Sequence, residues 1–325
     1  MIQNKNILLT GGTGSFGKAF TKLLLKKYKK SNFKIYVYSR DELKQFEMNN
    51  DIQDPRVKFI VGDIRDFERL INLKIKPNFI VHAAAMKQIV TSENNPSESI
   101  KTNILGTQNL LNYSLNLDNC KFLSLSTDKA VNPINLYGAT KLCLEKLTIA
   151  TNNVSIQNKY SVLRYGNVIG SRGSVIPYFR ELVKSNKKIT ITDKKMTRFW
   201  ITLNEASNYA LKCLELMKGN EIFVPELPSM KITDLAKVFS NEFRLTGIRK
   251  GEKLHEVLIS KEEQKYTFFN KSERLFIIDE NNIHKQKINY RNKIFIKNHS
   301  AIDYDSENNE NYLNVDQLKK LINTQ

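Results

Sequence analysis

Cysteines and long apolar runs are both scarce in this sequence, and each scarcity excludes a class of protein. The 325 residues contain three cysteines, Cys120, Cys143 and Cys213, and no Cys-x-x-Cys pair. This argues against a disulfide framework and a cysteine-based zinc site, so we expect a reducing, cytoplasmic compartment and no metal centre. The longest mainly apolar stretch, Phe79 to Met86, is far below the roughly 18 residues of a transmembrane helix, and Ile7 to Leu9 is too short a run for a secretory signal.

Acidic residues are also few relative to basic ones. The chain has 51 Lys+Arg against 33 Asp+Glu, a formal net charge of +18 at pH 7. The basic residues are spread along the whole chain, and apart from Tyr28 the tightest clusters, Lys26 to Lys30 and Lys187 to Lys188, lack the interleaved aromatic side chains of a single-strand-binding surface. We therefore expect no nucleic-acid partner. The surplus charge would instead favour peripheral association with an anionic membrane face.

The chain does contain enough hydrophobic residues for a core, 41% of its length, and they follow a regular alternation. Short β-branched or apolar runs alternate with longer amphipathic stretches, which is the pattern of repeated βαβ units. The predicted strands are 6–10, 34–38, 57–61, 79–82, 121–125 and 160–164, and the predicted helices between them include 18–29, 96–117 and 137–151. This pattern predicts an α/β fold with a doubly wound parallel sheet of the Rossmann type.

The second half of the chain has a looser pattern and predicts a smaller unit. A glycine-rich turn leads to predicted helices 175–184 and 204–217, a strand 221–224 and a closing amphipathic helix 314–322. We assign residues 1–167 to an NADP-binding domain, to which residues 203–225 return. Residues 168–202 and 226–325 are assigned to a mixed, carboxyl-terminal substrate lobe, in which 261–297 carries no recognisable motif.

A glycine-rich loop joins the first predicted strand to the first long helix. Gly11, Gly14 and Gly17 stand at the spaced positions of the pattern Gly-x-x-Gly-x-x-Gly. Glycine lets the backbone turn sharply and lets a pyrophosphate approach the N–H groups at the start of the helix. A plain tight turn is the alternative, but the position between a strand and a long helix favours a dinucleotide site.

The end of the second strand bears on which dinucleotide is bound. A carboxylate at this position selects NAD through the ribose hydroxyls, whereas Ser39 and Arg40 suit the 2′-phosphate of NADP. Lys44 offers a second cation, while Asp41 places the opposite charge beside the arginine. The sequence therefore favours NADP over NAD. Asp63, after the third strand, is the predicted acceptor for the adenine amino group, with a simple turn aspartate as the alternative.

Four side chains with acid–base character follow the fifth predicted strand. Tyr137 and Lys141 share one helical face at i and i+4, so the ammonium is expected to lower the pKa of the phenol and to hold a cofactor ribose. Such a pair also arises by chance in a chain this rich in lysine. The context decides, because Asp128 and Lys129 leave the same strand at the carboxyl edge of the sheet, where doubly wound proteins bind ligands. We therefore expect these four residues to be catalytic.

These residues lie in long blocks that resemble a known family, the extended short-chain dehydrogenases/reductases. Within that family, the chain is similar to the configuration-inverting UDP-N-acetylglucosamine 4,6-dehydratases of pseudaminic acid biosynthesis. The blocks are spread over nearly the whole chain and include GGTGSFGK (11–18), YSRDELKQ (38–45), HAAAMKQ (82–88), KTNILGT (101–107), LSTDKAVNPINLYGATK (125–141), RYGNVIGSRGSVIP (164–177), MTRFWIT (196–202) and GIRKGEKLHEVLI (247–259).

The resemblance implies a lyase reaction that uses NADP and UDP-N-acetylglucosamine. Tyr137, assisted by Lys141, would take the O4 proton while the C4 hydride moves to the cofactor. Lys129 would then remove the C5 proton, and Asp128 would protonate the departing C6 hydroxyl. Hydride return to C6 and protonation of C5 from the opposite face would give UDP-2-acetamido-2,6-dideoxy-L-arabino-hex-4-ulose. A lysine base needs a lowered pKa, which a buried site beside a cationic nicotinamide ring is expected to produce.

The resemblance also implies two sets of ligand contacts. The cofactor-binding set is Gly11, Thr13, Gly14, Ser15, Phe16, Gly17, Ser39, Arg40, Asp41, Glu42, Leu43, Lys44, Asp63, Ile64, Ala83, Leu125, Ser126, Tyr137 and Lys141. The substrate-binding set is Lys87, Thr127, Asn167, Val168, Gly170, Ser171, Arg172, Val175, Thr192, Arg249 and Glu252. Arg172, Arg249 and Glu252 would surround the UDP diphosphate and ribose, because arginine presents a planar fork to phosphate oxygens. Arg198 is a further candidate, with a structural arginine as the alternative.

Two alternative functions stay open. A UDP-HexNAc 4-epimerase needs the tyrosine, the lysine and the cofactor, but it does not need Asp128 and Lys129. A dehydratase or epimerase of another capsule or lipopolysaccharide sugar pathway is the other alternative. The sister group in those pathways carries methionine where Tyr137 stands, although it shares Gln88 with this chain. Because relatives form multimers, we expect a homo-oligomer, between a dimer and a hexamer.

Overall fold

The computed structural model describes residues 2–171 and 173–323. The first half of the chain alternates strands and helices, and each of the six predicted parallel strands forms within two residues of its expected ends. The elements are β1 (Lys5–Thr10), α1 (Ser15–Lys27), β2 (Phe33–Ser39), α2 (Glu42–Ile52), β3 (Val57–Val61), α3 (Phe67–Ile71), β4 (Phe79–His82), α4 (Ile89–Asn94), α5 (Pro96–Ile100), α6 (Gly106–Leu115), β5 (Lys121–Thr127), α7 (Leu136–Ala150) and β6 (Lys159–Tyr165).

The second half mixes shorter strands with helices, and the helices and strand predicted at 175–184, 204–217, 221–224 and 314–322 all form. The elements are β7 (Asn167–Val168), α8 (Val175–Lys184), β8 (Ile189–Ile191), β9 (Thr197–Ile201), α9 (Leu203–Leu216), β10 (Ile222–Pro225), β11 (Ser229–Lys231), α10 (Ile232–Phe239), β12 (Phe243–Leu245), β13 (Val257–Ile259), α11 (Lys261–Gln264), β14 (Thr267–Asn270), β15 (Leu275–Ile278), β16 (Lys287–Tyr290), β17 (Lys293–Lys297), β18 (Tyr304–Asp305) and α12 (Val315–Asn323).

The main sheet confirms the predicted α/β architecture. Its parallel part runs in the order β3-β2-β1-β4-β5-β6-β10, the doubly wound arrangement in which the order reverses between β1 and β4. These strands form because they are apolar on both faces, so that β1 buries Ile7, Leu8 and Leu9 and β4 buries all four of its residues. The reversal opens a crevice at the carboxyl ends of β1 and β4, where the functional side chains collect.

The predicted single helix at 96–117 is interrupted in the structure. A π-helical segment, Lys101–Leu105, separates α5 from α6. Asn103 lies in this segment and is fully buried. Its side chain bonds the main chain of Met86 and the hydroxyl of Thr140, so the wider turn places a polar group against two neighbouring segments. Helical periodicity in the sequence does not distinguish such a turn from a regular one.

The segment that carried no motif, 261–297, extends the main sheet. Strands β15, β14, β17 and β16 continue it beyond β10, and each neighbouring pair is antiparallel. The assignment of the whole of 226–325 to the substrate lobe is therefore corrected for residues 267–297. These strands join the sheet because Phe268, Ile277 and Phe295 bury their side chains in its core.

A second, smaller core supports the remaining elements. It is built from α8, β8, β9, α10 and α12, with Phe179, Trp200 and Leu235 fully or almost fully buried in it. The closing helix α12 contributes Leu318 and Ile322, as its amphipathic pattern predicted. Residues 203–225 return to the main sheet, because β10 pairs with β6 in parallel. Within the described residues, none of the helices combines the length and apolar character needed to cross a membrane.

Candidate active site

The loop after β1 forms a backbone cradle that requires glycine. A Cβ atom on Gly11, whose φ is +65°, would lie 2.7 Å from the main-chain nitrogen of Ala84, and one on Gly17 would collide with the carbonyl of Gly12. Gly14 precedes α1, and no side chain of the described residues caps that helix end. The amino terminus of α1 therefore faces the crevice with N–H groups and a positive dipole end, which favour an anion.

The cradle opens into a cavity of about 830 Å³ at the carboxyl ends of the parallel strands. The glycine loop and the end of β2 line it, and so do Asn167 and Arg249. Lys129, Tyr137 and Lys141 also belong to its lining. Doubly wound folds bind their ligands in this position, and the volume lies toward the upper end of the range for small-molecule sites.

Most of the predicted cofactor-binding residues meet at this cavity. Its lining includes Gly11, Thr13, Gly14, Ser15, Phe16, Ser39, Arg40, Asp41, Lys44, Asp63, Ile64, Ala83, Leu125, Ser126, Tyr137 and Lys141. Gly17, Glu42 and Leu43 lie outside the lining. Gly17 packs on the backbone of Gly12 instead, and the side chains of Glu42 and Leu43 lie exposed on α2.

The end of β2 presents one exposed guanidinium and one paired ammonium. The Arg40 side chain is 57% exposed, and its guanidinium is 3.9 Å from the carboxylate of Asp63. Asp41 caps α2 by accepting the N–H of Lys44 at 3.0 Å, and the same carboxylate pairs with the Lys44 ammonium. Asp41 therefore serves the helix end, and Arg40 is the more accessible cation of the two for an added phosphate.

The carboxylate of Asp63 is already engaged by Arg65. Its two oxygens accept the Arg65 N–H at 2.9 Å and the Arg65 guanidinium at 2.9 and 2.6 Å. Burial raises the pKa of Asp63, but the hydrogen bonds from Arg65 outweigh it and hold the pKa below its ordinary value. Asp63 therefore acts as a turn aspartate, the alternative named from the sequence. Its contact with an adenine amino group remains a prediction.

The carboxyl end of β5 places an acid and an ammonium in contact. Asp128 is fully buried and accepts a hydrogen bond from the Thr127 hydroxyl at 2.8 Å. The Lys129 ammonium lies 3.0 Å from Asp128 Oδ1 and 3.0 Å from Glu256 Oε1. Burial raises the pKa of Asp128 above its ordinary value despite the neighbouring ammonium. Lys129 lines the cavity, whereas Asp128 is outside its lining and reaches it only through the contact with Lys129.

The predicted lowering of the Lys129 pKa is wrong for this arrangement. Burial does lower it, but the carboxylates of Asp128 and Glu256 outweigh burial and raise the pKa above its ordinary value. The sequence argument did not include Glu256, because nothing in the sequence places it beside Lys129. The structure therefore contains an ion pair where a free amine was expected.

Tyr137 and Lys141 line the cavity together, but the lysine does not act on the phenol as predicted. Asn135 caps α7 at Gly138 and fixes the start of the helix that carries both. Burial raises the pKa of Tyr137 to about 12. The ammonium that acts against this rise is that of Lys129. Lys141 is directed elsewhere, because its ammonium donates to the carbonyl of Leu125. Burial also lowers the pKa of Lys141 to about 8.

Glu256 is a site residue that sequence reasoning missed. Its side chain is 2% exposed and lines the cavity beside Lys129. The guanidinium of Arg198 is 3.7 Å away, and the same arginine donates to the carbonyls of Lys253 and Leu254. Arg198 thus both lines the cavity and holds the segment that carries Glu256. A single acidic residue before a short apolar run carries no distinguishing sequence signal.

Most of the predicted substrate-binding residues also line the cavity. They are Lys87, Thr127, Asn167, Val168, Ser171, Val175, Arg249 and Glu252. Thr192 does not, because its hydroxyl is buried against the sulfur of Met196 at 3.2 Å, and Gly170 forms a turn at φ +69°. Arg172 lies outside the described residues. Asn167 Oδ1 and the indole nitrogen of Trp200 are buried at the cavity without a hydrogen-bond partner in the described chain.

The fold and the site together define an extended short-chain dehydrogenase/reductase: a doubly wound sheet, a glycine cradle after β1 and a Tyr-x-x-x-Lys pair at one cavity. Within residues 2–171 and 173–323, no group of three or more His, Cys, Asp or Glu side chains could hold a metal ion. The chain belongs to the polysaccharide biosynthesis protein family, whose model matches residues 7–280.

Two curated relatives and one solved structure cover nearly the whole chain. The UDP-N-acetylglucosamine 4,6-dehydratase (inverting) of Campylobacter jejuni is 45% identical over 333 residues, which is 99% of this chain and 98% of the relative. The UDP-glucose 4-epimerase of Rickettsia bellii is 38% identical over 335 residues, 99% of this chain and 96% of the relative. The X-ray structure of Pen from Bacillus thuringiensis is 33% identical, with a TM-score of 0.90 over 100% of this chain and 99% of that one.

Proposed function

We propose that the protein is an inverting UDP-N-acetylglucosamine 4,6-dehydratase that uses NADP. The observation that carries the proposal is the contact between Asp128 and Lys129 at the cavity beside Tyr137. An elimination needs an acid for the leaving hydroxyl and a base for the neighbouring C–H, in addition to the tyrosine of a redox step. The 45% identity with a full-length relative of that name supports the same reaction.

The residues of the cradle fit a nicotinamide dinucleotide. The backbone of Gly11 and the open end of α1 would hold the pyrophosphate, and Arg40 would meet the 2′-phosphate of NADP. When bound, the cofactor would take a hydride from C4 and return it to C6. Lys141, which donates to the carbonyl of Leu125 and lines the cavity, would bind the nicotinamide ribose.

The chain's own residues account for the proton movements. Tyr137 takes the O4 proton as C4 becomes a ketone, which acidifies the C5 proton. Lys129 removes that proton. The electron pair of the C5–H bond then forms a C5=C6 double bond, and the C6–O bond breaks. Asp128 donates a proton to that oxygen, and burial raises its pKa, which favours the acid form that this step needs. Water leaves, and a 4-ketone with a C5=C6 double bond remains. The hydride that the bound cofactor would return to C6, with a proton added to C5 from the opposite face, would then give the 4-keto-6-deoxy sugar.

The part of the cavity lined by Arg249, Glu252 and Asn167 would bind the UDP-sugar. Arg249 would contact the diphosphate, as would Arg172, and Glu252 would accept from the uridine ribose. Asn167 and Lys87 would contact the sugar; both line the cavity, and the Asn167 oxygen is a buried acceptor without a partner in the described residues. A buried acceptor without a partner is costly, so a bound hydroxyl or amide would relieve it.

Product mass tests this proposal against the epimerase alternative. The purified protein is incubated with UDP-N-acetylglucosamine and no added cofactor, because the cofactor ends the cycle as it began. We expect a product lighter by one water. An epimerase would give an isomer of unchanged mass, and that result would replace the proposal with the alternative that the Rickettsia relatives represent.

The assembly and location of the protein are further proposals. We propose a cytoplasmic homo-oligomer, between a dimer and a hexamer, which light scattering of the purified chain would test by its molar mass. We also propose that the net charge of +18 favours weak binding to anionic membranes. Equal partitioning onto anionic and neutral vesicles at low salt would exclude this binding.

A further inference from the structure

The Glu256 carboxylate is buried beside Lys129, and only one of its two oxygens pairs with that ammonium. Oε1 lies 3.0 Å from the Lys129 ammonium. Oε2 is buried and has no hydrogen-bond partner in the part of the chain that the structure describes, with the Lys253 ammonium at 4.0 Å. Burying a carboxylate oxygen without a hydrogen-bond partner costs folding free energy, and a role in the site would explain why this one is retained.

The backbone around Glu256 is fixed on both sides. Its N–H donates to the Ser306 hydroxyl at 2.9 Å, and its carbonyl accepts the Ser306 N–H at 2.8 Å. Two residues further on, the carbonyl of Leu258 accepts from the buried guanidinium of Arg164 at 2.9 Å. That guanidinium is itself held by Glu145 and Glu263. The carboxylate thus reaches Lys129 from a rigid frame.

Several charged groups face Lys129, and they come from different elements. Two carboxylates face it, Asp128 from the same turn and Glu256 just before β13. Two cations are also near, Arg198 on β9 and Lys253 in the loop before β13. The phenol of Tyr137 on α7 completes the set. Asp128 carries a raised pKa because it is buried, whereas the surrounding cations outweigh burial for Glu256 and lower its pKa. Glu256 is therefore the ionised partner of the Lys129 ammonium.

Building on the proposed function, we propose that Glu256 positions Lys129 at the reacting carbon and accepts its proton, so that Lys129 enters the reaction as a neutral amine. The N–H bond of the ammonium breaks and an O–H bond forms at Oε1, 3.0 Å away. The ion pair becomes an amine and a carboxylic acid, with no change in net charge. A substrate that fills the cavity favours this transfer, because excluding water destabilises a buried ion pair.

The transfer makes a specific prediction about pH. In the wild type, the ion pair and the neutral pair hold the same number of protons, so their interconversion is independent of pH. In Glu256→Gln, Lys129 must instead lose its proton to water. We expect the turnover of this variant at pH 7 to be at least about tenfold below wild type and to rise about tenfold per pH unit above it. Glu256→Asp keeps the acceptor one methylene further back and should restore the flat profile at a reduced rate.

A second measurement needs no turnover. The pH at which Lys129 reacts with a small acylating reagent is followed by mass spectrometry of its peptide. Removing the Glu256 charge should move the labelling midpoint of Lys129 to lower pH. Glu307→Gln is the matched control. Glu307 pairs at 3.5 Å with His255, the residue before Glu256, so this variant removes a nearby carboxylate and should leave the Lys129 midpoint unchanged.

The outcomes separate the two proposals. If Glu256→Gln loses activity by the same factor at every pH, or the Lys129 midpoint stays in place, Glu256 is only structural and the inference is wrong. If the wild type forms no dehydrated product, the proposed function fails and the proton transfer fails with it, while the midpoint still reports the contact. If Glu256→Gln does not fold, Glu256→Asp decides: activity that rises steeply with pH in this variant overturns the inference.

Discussion

Asn103 holds the main chain of Met86 on both sides. Its Oδ1 accepts the Met86 N–H at 2.8 Å, and its amide donates to the Met86 carbonyl at 2.9 Å and to the Thr140 hydroxyl at 3.0 Å. Met86 precedes Lys87, whose ammonium reaches the Ser171 hydroxyl at 3.4 Å across the cavity. The π-helical turn of Asn103 therefore fixes a loop that carries a proposed sugar contact.

Replacing Asn103 by alanine should loosen this loop. Three hydrogen bonds to buried groups are lost, so we expect the free energy of unfolding to fall by about 1–3 kcal/mol. The KM for the UDP-sugar should rise more than the Kd for the cofactor, because Lys87 lies on the substrate side. Asn112→Ala, an exposed position on α6, is the control. An unchanged KM in a folded Asn103→Ala protein would show that this clamp does not serve the substrate site.

Lys129 should be required for elimination but not for cofactor binding. Lys129→Ala removes the proposed base, while the glycine cradle and Arg40 remain. We expect the purified variant to retain its nicotinamide dinucleotide, measured by absorbance after denaturation, and to form no dehydrated product. Normal product formation by this variant would remove the lysine from the mechanism.

Arg40 should determine the preference for NADP. Its guanidinium is the exposed cation at the end of β2, so Arg40→Ala should raise the Kd for NADP by roughly 10–100-fold, the effect of losing a charge-assisted hydrogen bond. The Kd for NAD should change little. Arg69→Ala, an exposed arginine outside the cavity lining, is the matched control. Equal losses for both cofactors would contradict the assignment to the 2′-phosphate.

His82 should make folding stability depend on pH. The ring is fully buried between the hydroxyls of Thr10 and Thr107, and burial lowers its pKa to about 3. Between that value and the ordinary 6.5, the unfolded chain binds a proton that the folded chain excludes. Stability from this group is therefore complete above pH 6.5 and falls by roughly 1.4 kcal/mol per pH unit below it.

Urea unfolding of His82→Asn checks this dependence. The variant should be less stable at neutral pH, yet its stability should fall less steeply than that of the wild type between pH 6.5 and 4.5. His284→Asn, at an exposed histidine, should keep the wild-type slope. Parallel slopes for the wild type and His82→Asn would exclude His82 as the source.

The parallel half of the fold could be predicted because its signals are local. The apolar runs that became β1, β4, β5 and β6 are largely buried, and the glycine spacing after β1 indicates a tight turn. Strands β14 to β17 could not be assigned. They are short antiparallel strands at the sheet edge, and their pairing with one another and with β10 depends on contacts that the sequence does not encode locally.

The candidate site, like the fold, was predictable where its signals are local in the sequence. Tyr137, Lys141, Asp128 and Lys129 lie close together in sequence. The turn after β5 and the helix α7 bring Lys129, Tyr137 and Lys141 to one cavity, and Asp128 contacts Lys129 there. Their electrostatics were not fully predictable, because the pKa of Lys129 is raised by Asp128 together with Glu256, and Glu256 comes from a segment far along the chain. Charge interactions depend on distance in space, and only the folded structure gives those distances.

The central claim, elimination with inversion at C5, is tested most directly by proton NMR of the reaction with UDP-N-acetylglucosamine in deuterated water. The account predicts a 4-keto-6-deoxy product that has lost the C6 oxygen, carries deuterium at C5 and has the L-arabino configuration. Deuterium at C5 with the C6 oxygen retained, or an eliminated product with the original C5 configuration, would contradict it.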